Sequence, residues 1–147
     1  MDPQASQQAT DVAAALERLF GLIRWLSPAG LSLTAAATLA TLDRSGRDRL
    51  TALAAREGVT QPAMTQLIAR MAGQGLVVRA ADPDDGRAVH VQITEAGRDL
   101  VASRRAARAE RLHALLATLS ADDRDALTAA LPAINALASA RRDDQAR

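Results

Sequence analysis

Apolar residues recur along the chain at two spacings, and the change of spacing marks out its elements. Over 9–26, Val12, Leu16, Leu19, Ile23 and Leu26 return every three or four positions, one face of an α-helix, and Phe20 and Leu22 widen the stripe. Ser27-Pro28-Ala29-Gly30 ends it, because Pro and Gly punctuate helices. Thr34 can cap a second helix over 35–43, with Ala36, Leu39 and Ala40 inward, and Arg44-Ser45-Gly46 breaks it. A short third helix over 50–57 holds Leu53 and Ala54 and closes at Gly58. Thr60 suits the N-cap of a fourth helix and Pro62 its first turn, where a missing N–H does no harm. Leu67, Ile68 and Met71 are its anchors, and Gly73 and Gly75 stop it. The period then drops to two. Residues 76–80 predict one strand, and over 88–93 Val89, Val91 and Ile93 alternate with Ala88, His90 and Gln92 to predict another. Thr94 caps a long helix over 95–119. Ser120 opens a last one, reaching about residue 140, with Asp123 where a capping box usually has Glu or Gln. Leu127, Leu131, Ile134 and Leu137 form its stripe, Pro132 predicts a kink, and 141–147 is a polar tail.

This order predicts a mainly α protein with a small β-wing (α+β): a winged helix-turn-helix core over 32–94, an N-terminal dimerisation helix over 1–31, and C-terminal dimerisation helices and tail over 95–147. Residues 58–87 carry the most information, because a Gly-Val-Thr turn leads into the fourth helix and a long, Asp/Pro/Gly-rich tip joins the two strands. Such a unit can place a helix in a DNA major groove and its loop in the neighbouring minor groove. The terminal stripes exceed what a small winged core needs, and the economical partner for them is a second copy.

Composition sharpens this without deciding it. Nearly half of the 147 residues are apolar, mostly Ala and Leu, with one Phe, one Trp and no Tyr. That favours helices, and a helical chain short of large side chains often completes its core by dimerising. The formal net charge is +1, so bulk charge does not announce a nucleic-acid partner. All 18 basic residues are Arg. Arg can contact guanine and phosphate bidentately, although GC-rich codon usage explains the missing Lys as well. The absence of Cys excludes disulfides and thiol sensing and fits a cytoplasmic protein. The N-terminus lacks the basic and apolar regions of a signal peptide. Residues 25–42 carry no charge, but Pro28 and Gly30 interrupt them, so no membrane span is expected.

Catalytic and metal chemistry find no support. No nucleophile has a paired base, no Gly-rich loop cradles phosphate, and His90 and His113 are isolated, so neither enzyme activity, nor a metal, nor a cofactor is expected. Arg104, Arg108 and Arg111, at i, i+4 and i+7, predict a solvated helix face.

Three stretches carry a family resemblance: Leu33-Thr34, LTALAAREGVTQPAMTQLIARM (50–71) and GLVVRAADPDDGRAVHVQITEAG (75–97). Together they resemble the MarR family of bacterial transcriptional regulators over about two thirds of the chain. The resemblance implies a triangular homodimer on pseudo-palindromic double-stranded DNA, most often a repressor, released by a small aromatic or phenolic effector. It implies a recognition helix offering Thr60, Gln61, Pro62, Ala63, Thr65 and Gln66 to the groove, with Arg70 at phosphate. Gln can pair bidentately with adenine, and Ala or a Thr methyl can pack on a thymine methyl. The resemblance also makes Arg87 the wing arginine for a minor groove and Asp85 the acid that orients it. Arg79 either supports the wing or meets phosphate. Phe20, Arg24, Trp25 and Ala37 are candidates for the effector pocket. Two departures stand out: the wing carries Asp84 and Gly86 where relatives add basic residues, and Ala37 replaces a larger pocket residue. The acidic wing and near-neutral charge leave an alternative, a winged-helix protein-interaction module without DNA binding.

Overall fold

The computed structural model describes residues 3–81 and 89–145. Its elements are α1 (Pro3–Leu26), α2 (Leu33–Ser45), β1 (Arg47–Arg49), α3 (Leu50–Glu57), α4 (Gln61–Gly73), β2 (Val77–Ala81), β3 (Val89–Ile93), α5 (Glu95–Leu116) and α6 (Ala121–Gln145). The fold is mostly helical with a three-stranded antiparallel sheet in the order β1-β3-β2.

Local chemistry explains the boundaries, including those that differ from the sequence expectation. Ser32, not Thr34, caps α2: its backbone is extended and its Oγ accepts from the Ala35 N–H at 3.1 Å, so Leu33 and Thr34 join the first turn. The helix then runs through Arg44 and Ser45, and only Gly46 breaks it. The strand β1 was not expected. All three of its residues are charged, so no apolar alternation announces it, yet Arg47, Asp48 and Arg49 pair with Gln92, Val91 and His90. At the other termini, α1 starts at Pro3, six residues before the expected start at residue 9, α5 ends at Leu116, and α6 continues through Pro132 to Gln145. Ser120 caps α6 by accepting from the Asp123 N–H at 3.1 Å. The Asp123 carboxylate in turn accepts a hydrogen bond from the Ser120 hydroxyl at 2.6 Å.

One core serves the winged unit. Leu39 and Leu42 from α2, Leu53 from α3, Met64, Ile68 and Met71 from α4, and Val77, Val91 and Ile93 from the sheet are fully buried, and Val101 joins them from α5. Among the described residues, none of α1 or α6 belongs to this cluster. Of the fourteen exposed large apolar side chains among the described residues, the terminal helices hold ten, including Leu16, Ile23, Leu131 and Leu137.

The junction of wing and α5 is tightly built. Thr94 caps α5 by accepting from the Gly97 N–H at 3.1 Å while donating to the Gly75 carbonyl at 2.6 Å. Its own N–H reaches the Leu76 carbonyl at 3.1 Å. This brings α5 so close to the end of α4 that a Cβ on Gly97 would run into the Leu76 carbonyl and would sit 2.7 Å from Ile93 Cγ1. Gly97→Ala therefore separates two effects of opposite sign. Helix propensity alone would stabilise by up to about 1 kcal/mol. Overpacking against backbone costs about 1–3 kcal/mol. The expected result is a lower thermal midpoint, and an unchanged or raised one would show that the junction yields.

Candidate nucleic-acid interface

The helix-turn-helix corner is set by three residues. Gly58 closes α3 in the left-handed region (φ 66, ψ 32), where a Cβ would strain the backbone. Its N–H bonds the Ala55 carbonyl at 3.2 Å, and the Val59 N–H bonds that of Ala54 at 3.0 Å, which satisfies the end of α3. Val59 packs against the core. Thr60 then caps α4 by accepting from the Ala63 N–H at 3.4 Å. Met64, Leu67, Ile68 and Met71 anchor one face of α4, so the opposite face is fixed in direction: Gln61, Pro62, Ala63, Gln66, Ala69 and Arg70 are exposed on it. Ala69 belongs to this surface although the sequence reading did not single it out; it follows Pro62 and Gln66 at helical spacing. Thr65 is half-buried, and its hydroxyl donates to the Gln61 carbonyl at 2.9 Å. What Thr65 has left for a base edge is an acceptor lone pair and a methyl group.

Arg79 is exposed on β2, opposite Val91 of β3. It lines a cleft of about 200 Å³ between the start of α4 and the base of the wing, together with Arg49, Thr51, Gln61, Thr65 and Val89. Arg49 and Thr51 were not singled out from the sequence, and no periodic signal marks them, because the cleft is assembled from five elements, β1, α3, α4, β2 and β3. Arg87 and Asp85 lie outside the described residues.

A second cavity, of about 350 Å³, opens between α1, α2 and α5. Phe20 and Ile23 from α1, Leu33 and Ala37 from α2, and Arg104 and Arg108 from α5 are among the residues lining it. The four sequence candidates for such a pocket therefore split: Phe20 and Ala37 line the cavity, whereas Arg24 and Trp25 do not, and Trp25 is 61% exposed. The stripe turns Phe20 and Ile23 toward α5, and Trp25 falls two residues off Ile23, on another face of the helix.

Of Arg104, Arg108 and Arg111, expected on a solvated face, only Arg111 is exposed; Arg104 is buried and Arg108 half-buried. Arg104 is only 8% exposed, and its Nη1 donates to the Ala29 carbonyl at 3.1 Å. Arg111 reaches the carbonyls of Trp25 and Leu26, each at 3.4 Å, at the C-terminus of α1. Carbonyls left over at a helix end attract cations, and no sequence pattern shows where they lie. The Nε of Arg108 is buried and, among the described residues, has no hydrogen-bond partner. Burial first, and then the neighbouring charge of Arg108, lower the pKa of Arg104 below arginine's ordinary value. Arg105 pairs with Asp43 of α2 at 2.9 Å. Among the described residues no cluster could hold a metal ion, and no helix is long and apolar enough to cross a membrane.

The pattern that defines MarR proteins matches residues 31–89, from the start of α2 to the start of β3. An uncharacterised HTH-type transcriptional regulator of Mycobacterium bovis is 42% identical over 130 residues, 88% of this chain and 91% of its own. The chain belongs to the MarR family. Structures agree: a Pseudomonas aeruginosa transcriptional regulator protein superposes with a TM-score of 0.77 at 28% identity, over 94% of this chain and 98% of the other. BpsR of Bordetella bronchiseptica, whose DNA binding is regulated by 6-hydroxynicotinic acid, superposes with a TM-score of 0.62 at 22% identity, over 88% of this chain and 98% of the other. MarR-family membership makes the chain a DNA-binding transcriptional regulator and not an enzyme, which sets aside the winged unit as a protein-interaction module without DNA binding.

Proposed function

We propose that this MarR-family regulator is a homodimeric repressor that reads a pseudo-palindromic operator and is released by a small aromatic anion. The observation that carries the reading is the division of the molecule into a closed winged core with a rigidly aimed, exposed α4 face and two terminal helices whose apolar stripes the core does not use. In the dimer, the stripes of α1 and α6 cover their counterparts, and the two copies of α4 enter successive major grooves on the order of 34–36 Å apart. Thr60, Gln61, Pro62, Ala63, Thr65 and Gln66 face base edges and the near backbone, and Arg70 meets phosphate a turn later. Arg87, oriented by Asp85, reaches the minor groove, where narrow A·T-rich DNA attracts a guanidinium. The protein works in the cytoplasm, where the operator is.

The cavity between α1, α2 and α5 is the effector site. It has an apolar wall and convergent cations, the make-up of a site for a small anionic ring. Arg104 is desolvated and crowded by a like charge, and Arg108 offers a buried N–H; an anion relieves both. The cavity touches α1 on the dimer side and α2 and α5 on the lobe side, so a ligand that prefers one angle between them shifts the spacing of the recognition helices. The relation to BpsR supports an aromatic acid as the ligand class.

Selection of bound duplexes from a random DNA pool tests the operator reading. It is expected to return inverted repeats with half-site centres about one helical turn apart. Single, unpaired half-sites would overturn the symmetric dimer.

A further inference from the structure

The cavity between α1, α2 and α5 has a counter-ion of its own. Three guanidinium groups of α5, those of Arg104, Arg105 and Arg108, line it. Each is held differently. Arg104 donates to the Ala29 carbonyl, and the Arg108 Nε has no partner among the described residues. Arg105 binds a charge: its Nη1 donates to Oδ2 of Asp43, in the last turn of α2, at 2.9 Å. We propose that Asp43 is a built-in competitor of the effector, and that an anion in the cavity binds by drawing Arg105 away from it. The inference deepens the reading of this cavity as the effector site and rests on it.

Position and charge support an exchangeable pair. Arg105 lines the cavity, whereas Asp43 is not part of its wall, so one guanidinium stands between an internal carboxylate and the space a ligand fills. Arg105 and Arg108 are three residues apart on α5 and therefore neighbours on the helix surface. An anion drawn to the unpartnered Arg108 N–H thus arrives beside Arg105. The pair is also weak enough to exchange: the Arg105 side chain is 55% exposed, and ion pairs open to water are screened. Asp43 in turn is poorly placed without Arg105. The carbonyls at a helix C-terminus repel a carboxylate, and Asp43 is two residues from the end of α2. Withdrawing Arg105 leaves that charge against the helix end. This is the end that leads through Gly46 into β1, and the Gly46 carbonyl accepts from the Ile93 N–H of β3 at 3.4 Å. Loss of the pair therefore acts on the junction of α2 with the wing sheet, and it also unties α2 from α5.

Ligand binding is measured by calorimetry on the full-length protein without DNA. The probes are 6-hydroxynicotinic acid and simple hydroxybenzoates, with the corresponding neutral amides as controls. Asp43→Asn is expected to tighten binding of the acids by about two- to five-fold, the worth of one part-exposed ion pair. It should leave the amides unchanged. Arg105→Gln is expected to weaken the acids several-fold, and adding Asp43→Asn to Arg105→Gln should change nothing further. This last measurement separates the exchange of one guanidinium from the general benefit of removing a negative charge, which would persist without Arg105. The pair is part-exposed, so the variants should fold, and circular dichroism checks that they do. The proposal is overturned if Asp43→Asn leaves acid affinity unchanged or weakens it, tightens the amides equally, or still tightens the acids in the Arg105→Gln background. Acids that bind neither the wild type nor any variant would instead overturn the reading of the cavity as the effector site.

Discussion

Leu16→Glu combined with Leu131→Glu is expected to convert the dimer to monomers and to weaken operator binding by about 100-fold or more, because linking two half-site contacts multiplies affinity by roughly 10²–10⁴. Leu16 is 44% and Leu131 52% exposed in the single chain, and each sits mid-stripe among other large apolar residues. Neither belongs to the core cluster and neither lines the effector cavity, so the winged unit should keep its fold. In a dimer covered by these stripes, four carboxylates would be taken out of water beside one another, which costs far more than the lost apolar contact. Light scattering and gel shift read the two outcomes together. A variant that stays dimeric would place the interface on another surface. One that becomes monomeric yet keeps full operator affinity would remove the need for symmetry.

The second large effect concerns the effector. Arg108→Gln is expected to raise the concentration of an aromatic acid needed to release DNA by about 10–100-fold, since a hydrogen bond to a charged group is worth about 1.5–3 kcal/mol. Operator affinity without ligand should stay near wild type, because Arg108 lies on the cavity side of α5 and away from α4. The probes are 6-hydroxynicotinic acid and simple hydroxybenzoates, read by loss of the gel-shifted complex. Arg104 is a poorer choice, because its bond to Ala29 ties the α1–α2 connection to α5 and its loss would disturb the fold as well. If wild-type complexes ignore every such acid, the cavity is not an effector site for this class of ligand.

Which parts were legible in the sequence follows from where the deciding interactions lie. The helix-turn-helix corner depends on neighbours in the chain: Gly58 supplies a left-handed residue, Thr60 a cap, and Leu67, Ile68 and Met71 one helical face, which Met64 extends. All of these act within a few residues, so periodicity and cap chemistry place them. The cap of α2 was expected at Thr34, and the extended backbone at Ser32, another competent capping residue, moves it two positions earlier. The β1 strand was invisible because Arg-Asp-Arg offers no apolar alternation; its strand character comes from pairing with β3, more than 40 residues away. The burial of Arg104 escaped the sequence reading for a related reason. The spacing of the α5 arginines fits a solvated stripe, and the acceptors that bind Arg104 and Arg111 are backbone carbonyls contributed by the end of α1 and the turn after it, which carry no side-chain signature. The cleft at the wing base shares this character: α3, α4 and all three strands must be in place before Arg49, Arg79 and Gln61 line it together.

The central claim is sequence-specific binding of duplex DNA by a folded dimer. It is tested most directly by binding of the purified protein to the DNA immediately upstream of its own gene, at two salt concentrations and against nonspecific competitor. The account predicts a complex that resists competitor and weakens steeply as salt rises, because each neutralised phosphate releases counterions. A dimer, shown folded by circular dichroism, that gives no competitor-resistant complex there or with any duplex from the random pool would contradict it.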